Sequence, residues 1–224
     1  MKFFKRIQNH IKNDAKIFCN LQFNLCTFIY VIFIINFVSF LIILPDFAKD
    51  RGLTVNQGTL LLSLFSVTDF FGRILPGWAS YFGLITNKNI YVGSIGLMGV
   101  CFILMPMADG FSQFVILTLL CGFFTGCQMV LPPVVISEYL GVERTAVAWG
   151  LANFVCGSIS MVFRPILIGN YIIELNLIFN QINITGAFKD GTGHYDKLFY
   201  TLGSMALFSA ILFIFNLVKS KIYR

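Results

Sequence analysis

Two ionisable residues one helical turn apart, Asp69 and Arg73, sit inside an otherwise apolar run, SLFSVTDFFGRILPGW. An i, i+4 spacing puts both side chains on one face of a helix. A charge at the depth of lipid tails costs about 3 kcal/mol even on lenient insertion scales. The face carrying them is therefore expected to look at protein or at a water-filled passage. A guanidinium meets a carboxylate with a two-pronged hydrogen bond, which suits Arg73 to anchoring an anionic substrate. Asp69 suits the binding of a coupling proton: burial favours its neutral form and the neighbouring cation its charged form. The plainer alternative is an ion pair that locks two helices together.

A second cation inside an apolar run is Arg164, in SMVFRPILIGN. It lies toward a helix end, where a long side chain snorkels to the interface or finds a structural partner; a direct substrate contact is the sharper alternative. Pro132-Pro133, in QMVLPPVVISEYLG, is expected to interrupt and bend its helix, because each proline removes a backbone donor and clashes with the preceding turn. Broken helices at membrane depth are tolerated where they line a cavity, and a packing kink is the alternative. Glu138, Glu143 and Arg144 cluster at a helix end and its loop, as a charge network that latches one face would. Asp46, Asp50 and Arg51 read as solvated loop residues. Gly122 and Gly126 form a GxxxG, and Gly93, Gly96 and Gly99 recur every third residue. Both patterns are expected to let helices approach closely.

The elements that position these residues follow from composition. The chain is 57% hydrophobic and 12% charged, with a mean hydropathy of +0.81. A soluble domain carries about 25% charged residues, so lipid is the expected solvent. Six stretches approach the ~20 apolar residues needed to cross a ~30 Å hydrocarbon core: about 25–45, 57–82, 90–108, 113–138, 146–170 and 198–218. PDFAKDRG, NKN, MADG, LGVER and a long segment near 171–196 separate them. No strand-like alternation is visible, so the fold class is all-α: a six-helix transmembrane bundle over 23–218, a basic segment over 1–22 and a tail over 219–224.

The net charge of +6 does not form a patch interleaved with aromatics, which argues against nucleic acid. Instead the cations cap the apolar runs, as on the cytoplasmic side of membrane spans. With the N-terminus inside, ten fall on inner segments (Lys2, Lys5, Arg6, Lys12, Lys16, Lys88, Arg144, Lys219, Lys221, Arg224) and four on outer ones (Lys49, Arg51, Lys189, Lys197). Both termini are thus expected to be cytoplasmic, with the plasma membrane as the site. Asn183-Ile184-Thr185, a glycosylation sequon, then falls in an outer loop. The basic N-terminus has no small-residue cleavage site and is not expected to be a signal peptide. The cysteines (Cys19, Cys26, Cys101, Cys121, Cys127, Cys156) lack CxxC spacing and mostly lie in apolar runs, as packing residues do.

HExxH, GxSxG and P-loop patterns do not occur, and His10 and His194 lie outside the apolar runs. An enzyme, a metal site or a cofactor is not expected. The order of motifs resembles the C-terminal half of monocarboxylate transporters of the major facilitator superfamily. LPDFAKDRGLT followed by LLLSLFSVTDFFGRILPGW is similar to that family's seventh-to-eighth helix passage, with its D-x-x-x-R element at Asp69 and Arg73. CGFFTGCQMVLPPVVISEYLGVERTAVAWGL is similar to the tenth helix and its exit, and GTGHYDKLFYTLGS to the entry into the last helix. The likeness runs from about residue 17 to the end.

The resemblance implies proton-coupled symport of a small carboxylate by alternating access, with Asp69 taking the proton and Arg73 the anion. The family's first six helices and their substrate lysine have no counterpart here. Arg164 stands where many relatives have glycine, and Tyr81 where an acidic residue is usual. Because such sites lie between two halves, a missing N-terminal half or a second copy is the expected partner, and a partial chain the favoured explanation. The alternatives are a non-transporting half-length protein that associates with full-length relatives, and a transporter for an aromatic or hormone-like substrate.

Overall fold

The computed structural model describes residues 16–168 and 195–222, with side chains for 17–161 and 195–219. Six long helices occur among them: α1 (Leu21–Asp50), α2 (Val55–Tyr81), α3 (Asn87–Leu104), α4 (Phe111–Leu140), α5 (Val142–Ile168) and α6 (Asp196–Ile222). Among the described residues, all but α5 are long and apolar enough, by length and composition, to cross a membrane, α3 together with the 3-10 turn Met105–Met107 that continues it. The sequence reading of an all-helical, multi-pass protein stands, with five of its six spans meeting that test.

Most helices overrun the apolar stretches because polar groups close their ends. Asn20 caps α1, its Oδ1 accepting from the N–H groups of Gln22 at 2.9 Å and Phe23 at 3.4 Å. Thr54 and Gln57 form a reciprocal capping box at the start of α2, with Gln57 Oε1 accepting from the Thr54 N–H at 2.9 Å. The expected loop LGVER is instead a single residue. Gly141 adopts φ +85° between α4 and α5, a left-handed conformation that suits glycine, and Glu143 and Arg144 fall in the first turn of α5. Nor do Pro132 and Pro133 interrupt α4, which continues through both as one helix.

α1 is the central helix, in contact with α2, α4, α5 and α6. α2 lies along α4, while α3 packs on α4 and α6. The most apolar stretch of α1 is 67% buried and that of α2 only 22%, which separates a hub from a flank with an open side. Two apolar cores fill opposite ends of the bundle. One gathers Phe40, Phe47, Phe102, Phe114 and Phe199, with the rings of Phe47 and Phe199 4.6 Å apart. The other gathers Phe23, Ile29, Tyr91, Leu131 and Phe213. Five of the six cysteines are buried, and Cys19 is exposed.

Candidate functional site

The ion pair expected from the spacing forms within α2. Arg73 Nε donates to Asp69 Oδ2 at 2.9 Å, and Arg73 Nη2 lies 2.7 Å from the same oxygen. Both contacts thus converge on one oxygen instead of forking across the carboxylate. Asp69 Oδ1 is buried and has no hydrogen-bond partner among the described residues. The Asp69 side chain is 14% exposed and that of Arg73 46%, so the carboxylate is tucked in while the guanidinium faces outward with spare donors.

Depth can be read along the same helix. Nine residues beyond Asp69 begins an exposed aromatic group, Trp78, Tyr81 and Phe82, of the kind enriched at membrane interfaces. At 1.5 Å per residue, Asp69 lies roughly 13 Å in from Trp78, close to half of a ~30 Å hydrocarbon core.

The open side of α2 carries hydroxyls among exposed apolar side chains such as Val67, Phe70 and Ile74. Thr59, Ser63 and Ser66 precede the pair at helical spacing, all exposed. Their hydroxyls donate back to the carbonyls of Val55, Thr59 and Leu62 at 3.0, 3.3 and 3.0 Å, which keeps each oxygen free to accept. The opposite face is locked to α4 by glycines. A Cβ on Gly126 would collide with the carbonyl oxygen of Asp69 itself, and one on Gly72 with that of Phe123. One on Gly122 would meet Thr68 Oγ1 and come within 2.5 Å of the Phe65 carbonyl oxygen. The GxxxG read as a packing device is thus the seat on which the charged turn rests.

The other candidate residues do not converge on this pair. Arg164 belongs to α5, but its side chain, like Asn183 as a whole, lies outside the described residues. Pro132 is buried and Pro133 half-buried within α4. The expected network of Glu138, Glu143 and Arg144 is corrected in its partners. Glu138 Oε2 pairs with Lys88 Nζ at 3.2 Å, and its Oε1 accepts from Asn87 Nδ2 at 3.1 Å. Lys88 Nζ also stands 4.1 Å over the Tyr139 ring, whereas Arg144 is exposed at the start of α5. A partner fifty positions away in sequence replaces the neighbour that proximity suggested.

At the other end of the bundle, Arg51 lies in the turn after α1 but is not left to solvent. It caps α1 and donates from Nη2 to the Pro106 carbonyl and to Asp196 Oδ1, both at 2.7 Å, with its guanidinium carbon 5.3 Å from the Phe47 ring centre. This clamp joins the ends of α1, α3 and α6. Nothing local in the sequence signals it, because Asp196 is 145 positions away.

A multi-pass helical bundle with an ion pair near mid-depth on an open helix side fits a membrane protein of transporter type. The profile of the Major Facilitator Superfamily matches residues 25–223, and the chain belongs to that superfamily. It is 27% identical over 183 residues to monocarboxylate transporter 12 of Rattus norvegicus, covering 81% of this chain and 34% of that protein. It is 26% identical over 197 residues to monocarboxylate transporter 2 of Mesocricetus auratus, covering 86% of this chain and 37% of that protein. Monocarboxylate transporter 12-B of Danio rerio is 28% identical over 175 residues, 77% of this chain and 33% of that protein. The resemblance read from the motifs is the one these relatives carry. The chain spans about a third of their length.

Proposed function

We propose that this chain forms one six-helix half of a secondary transporter that moves a small monocarboxylate together with a proton. Arg73 receives the substrate carboxylate with the donors that Asp69 leaves unused, and Asp69 takes the proton on its unpartnered Oδ1. Proton binding would loosen the hold of Arg73 on Asp69 and free the guanidinium for the anion. A second six-helix unit covers the open side of α2 in the complete transporter, with α5 as the remaining span, both termini cytoplasmic and the plasma membrane as the site.

The observation that supports this reading is the placement of the pair: mid-depth, on a face lined by Thr59, Ser63 and Ser66, with Arg73 nearly half exposed. A purely structural ion pair would bury both partners against a neighbouring helix. Uptake of a radiolabelled monocarboxylate panel in cells expressing the assembled transporter tests it. Arg73→Ala should abolish uptake while surface expression stays intact. Asp69→Asn should remove the pH dependence of whatever transport remains. Normal uptake with Arg73→Ala, or an unaltered pH profile with Asp69→Asn, would overturn the respective assignment.

A further inference from the structure

Between the two apolar cores runs a layer of buried polar side chains contributed by different helices: Asn36 of α1, Ser94 of α3, Gln128 of α4 and Ser209 of α6. None takes part in the Asp69–Arg73 site. A cavity of about 10 Å³ opens in this layer, lined by Asn36, Gln128, Ser209, Met98, Ile95 and Phe33 among others. That volume admits one water molecule, for which roughly 10–15 Å³ is needed, and nothing larger.

The hydrogen bonding of the lining is incomplete in a specific way. Asn36 is 1% exposed, and its Nδ2 donates to the Leu202 carbonyl at 3.3 Å. Its Oδ1 has no partner among the described residues. Ser209 Oγ spends its proton on the Met205 carbonyl at 2.9 Å, which leaves its lone pairs available. Gln128 Nε2 is divided between the Ser94 carbonyl at 3.3 Å and the Met98 sulfur at 3.0 Å, one long contact and one soft one. The layer is thus richer in free acceptors than in donors. A buried acceptor left unmet is costly, and a molecule that brings two O–H donors matches the need. No acidic or basic side chain lines the cavity, so the occupant is neutral and a bound cation is disfavoured.

We propose that one buried water occupies this cavity, donates to Asn36 Oδ1 and Ser209 Oγ, and so ties the central helix α1 to α6 beside Gln128 of α4. Such a water joins helices that apolar contact alone would leave free to slide, at the depth where the two cores meet.

Radiolytic hydroxyl-radical labelling of the full chain in lipid nanodiscs tests this, because the radical forms from water in place. Met98 lines the cavity and is 1% exposed, while Met105 is 0% exposed and lies outside it. Met98 should be oxidised about tenfold faster than Met105, since only the former touches a bound water. Asn36→Leu, which removes the acceptor and fills the space, should abolish the difference. Ser209→Ala, which keeps the volume, should reduce it and serves if Asn36→Leu fails to fold. Equal labelling of Met98 and Met105 in the unaltered chain would overturn the proposal, and so would labelling of Met98 that survives both substitutions.

Discussion

Two seams of the bundle use the same device to opposite ends. The seam of α2 with α4 and the seam of α3 with α6 are both closed by glycines. Gly122 and Gly126 of α4 face Phe65, Thr68, Asp69 and Gly72, and Gly99 of α3 faces Gly203 of α6. At the second seam a Cβ on Gly203 would lie 2.7 Å from the Ile103 Cγ1 and 2.9 Å from the Gly99 carbonyl oxygen, so part of the obstruction is a side chain that can rotate. At the first seam the obstruction is chiefly backbone, and it includes the carbonyl of the charged residue. Glycine here does more than bring helices together. It fixes the depth and rotation of Asp69 and Arg73, and no comparable demand falls on the α3–α6 seam.

The largest expected effect breaks that comparison directly. Gly126→Ala should destabilise the chain by about 3 kcal/mol, the upper part of the range for overpacking, because backbone must move. Gly203→Ala should cost less, about 1–2 kcal/mol, because Ile103 can yield and the Gly99 carbonyl need shift only slightly. Thermal unfolding in detergent, followed by intrinsic fluorescence, measures both. Equal losses would mean that the two seams are equally compliant and that Asp69 is not specially seated.

The seams also show where sequence reading succeeds. Asp69 with Arg73 and Gly122 with Gly126 were legible because helical periodicity is a local rule, and hydrophobic runs marked the helices for the same reason. The helix ends were less legible: Asn20 and Thr54 extend α1 and α2 past their apolar cores, and Gly141 alone replaces an expected loop. What local rules could not supply is the partner across space. Sequence proximity groups Glu138 with Arg144, six positions away, whereas it pairs with Lys88, fifty positions away. Its loop position suggests that Arg51 is solvated, yet it holds Asp196. Similarly, two consecutive prolines suggested a break, yet α4 runs on through them.

A second comparison sharpens the reading of the open face, with a smaller effect. In an open, hydrated passage an i, i+4 pair contributes only about 0.5 kcal/mol, so Arg73→Leu should change stability little. Were that face to lie against acyl chains instead, removing a mid-depth cation would stabilise the protein by about 2–3 kcal/mol. Unfolding of wild type and Arg73→Leu in bicelles, each compared with Asp69→Asn, distinguishes the two. A clear gain in stability for Arg73→Leu would argue for lipid at that face and against a polar passage.

The two end pairs give effects of similarly small size, and their ranking follows from how many helices each joins. Arg51 donates to a carboxylate and to a backbone carbonyl and stacks over Phe47, linking three helix ends with side chains 30% and 33% exposed. Lys88 and Glu138, at 24% and 34%, join only α3 to α4, which already share a long contact. Surface pairs contribute between nothing and about 1 kcal/mol, so Arg51→Ala should sit near the top of that range and Lys88→Ala near about 0.5 kcal/mol. The Arg51 loss should also be the less sensitive to salt, because the Pro106 carbonyl carries no net charge to be screened. Unfolding measured at low and high ionic strength checks this. A larger or less salt-dependent loss with Lys88→Ala would show that the end bearing Glu138, not the end bearing Asp196, is the firmer of the two.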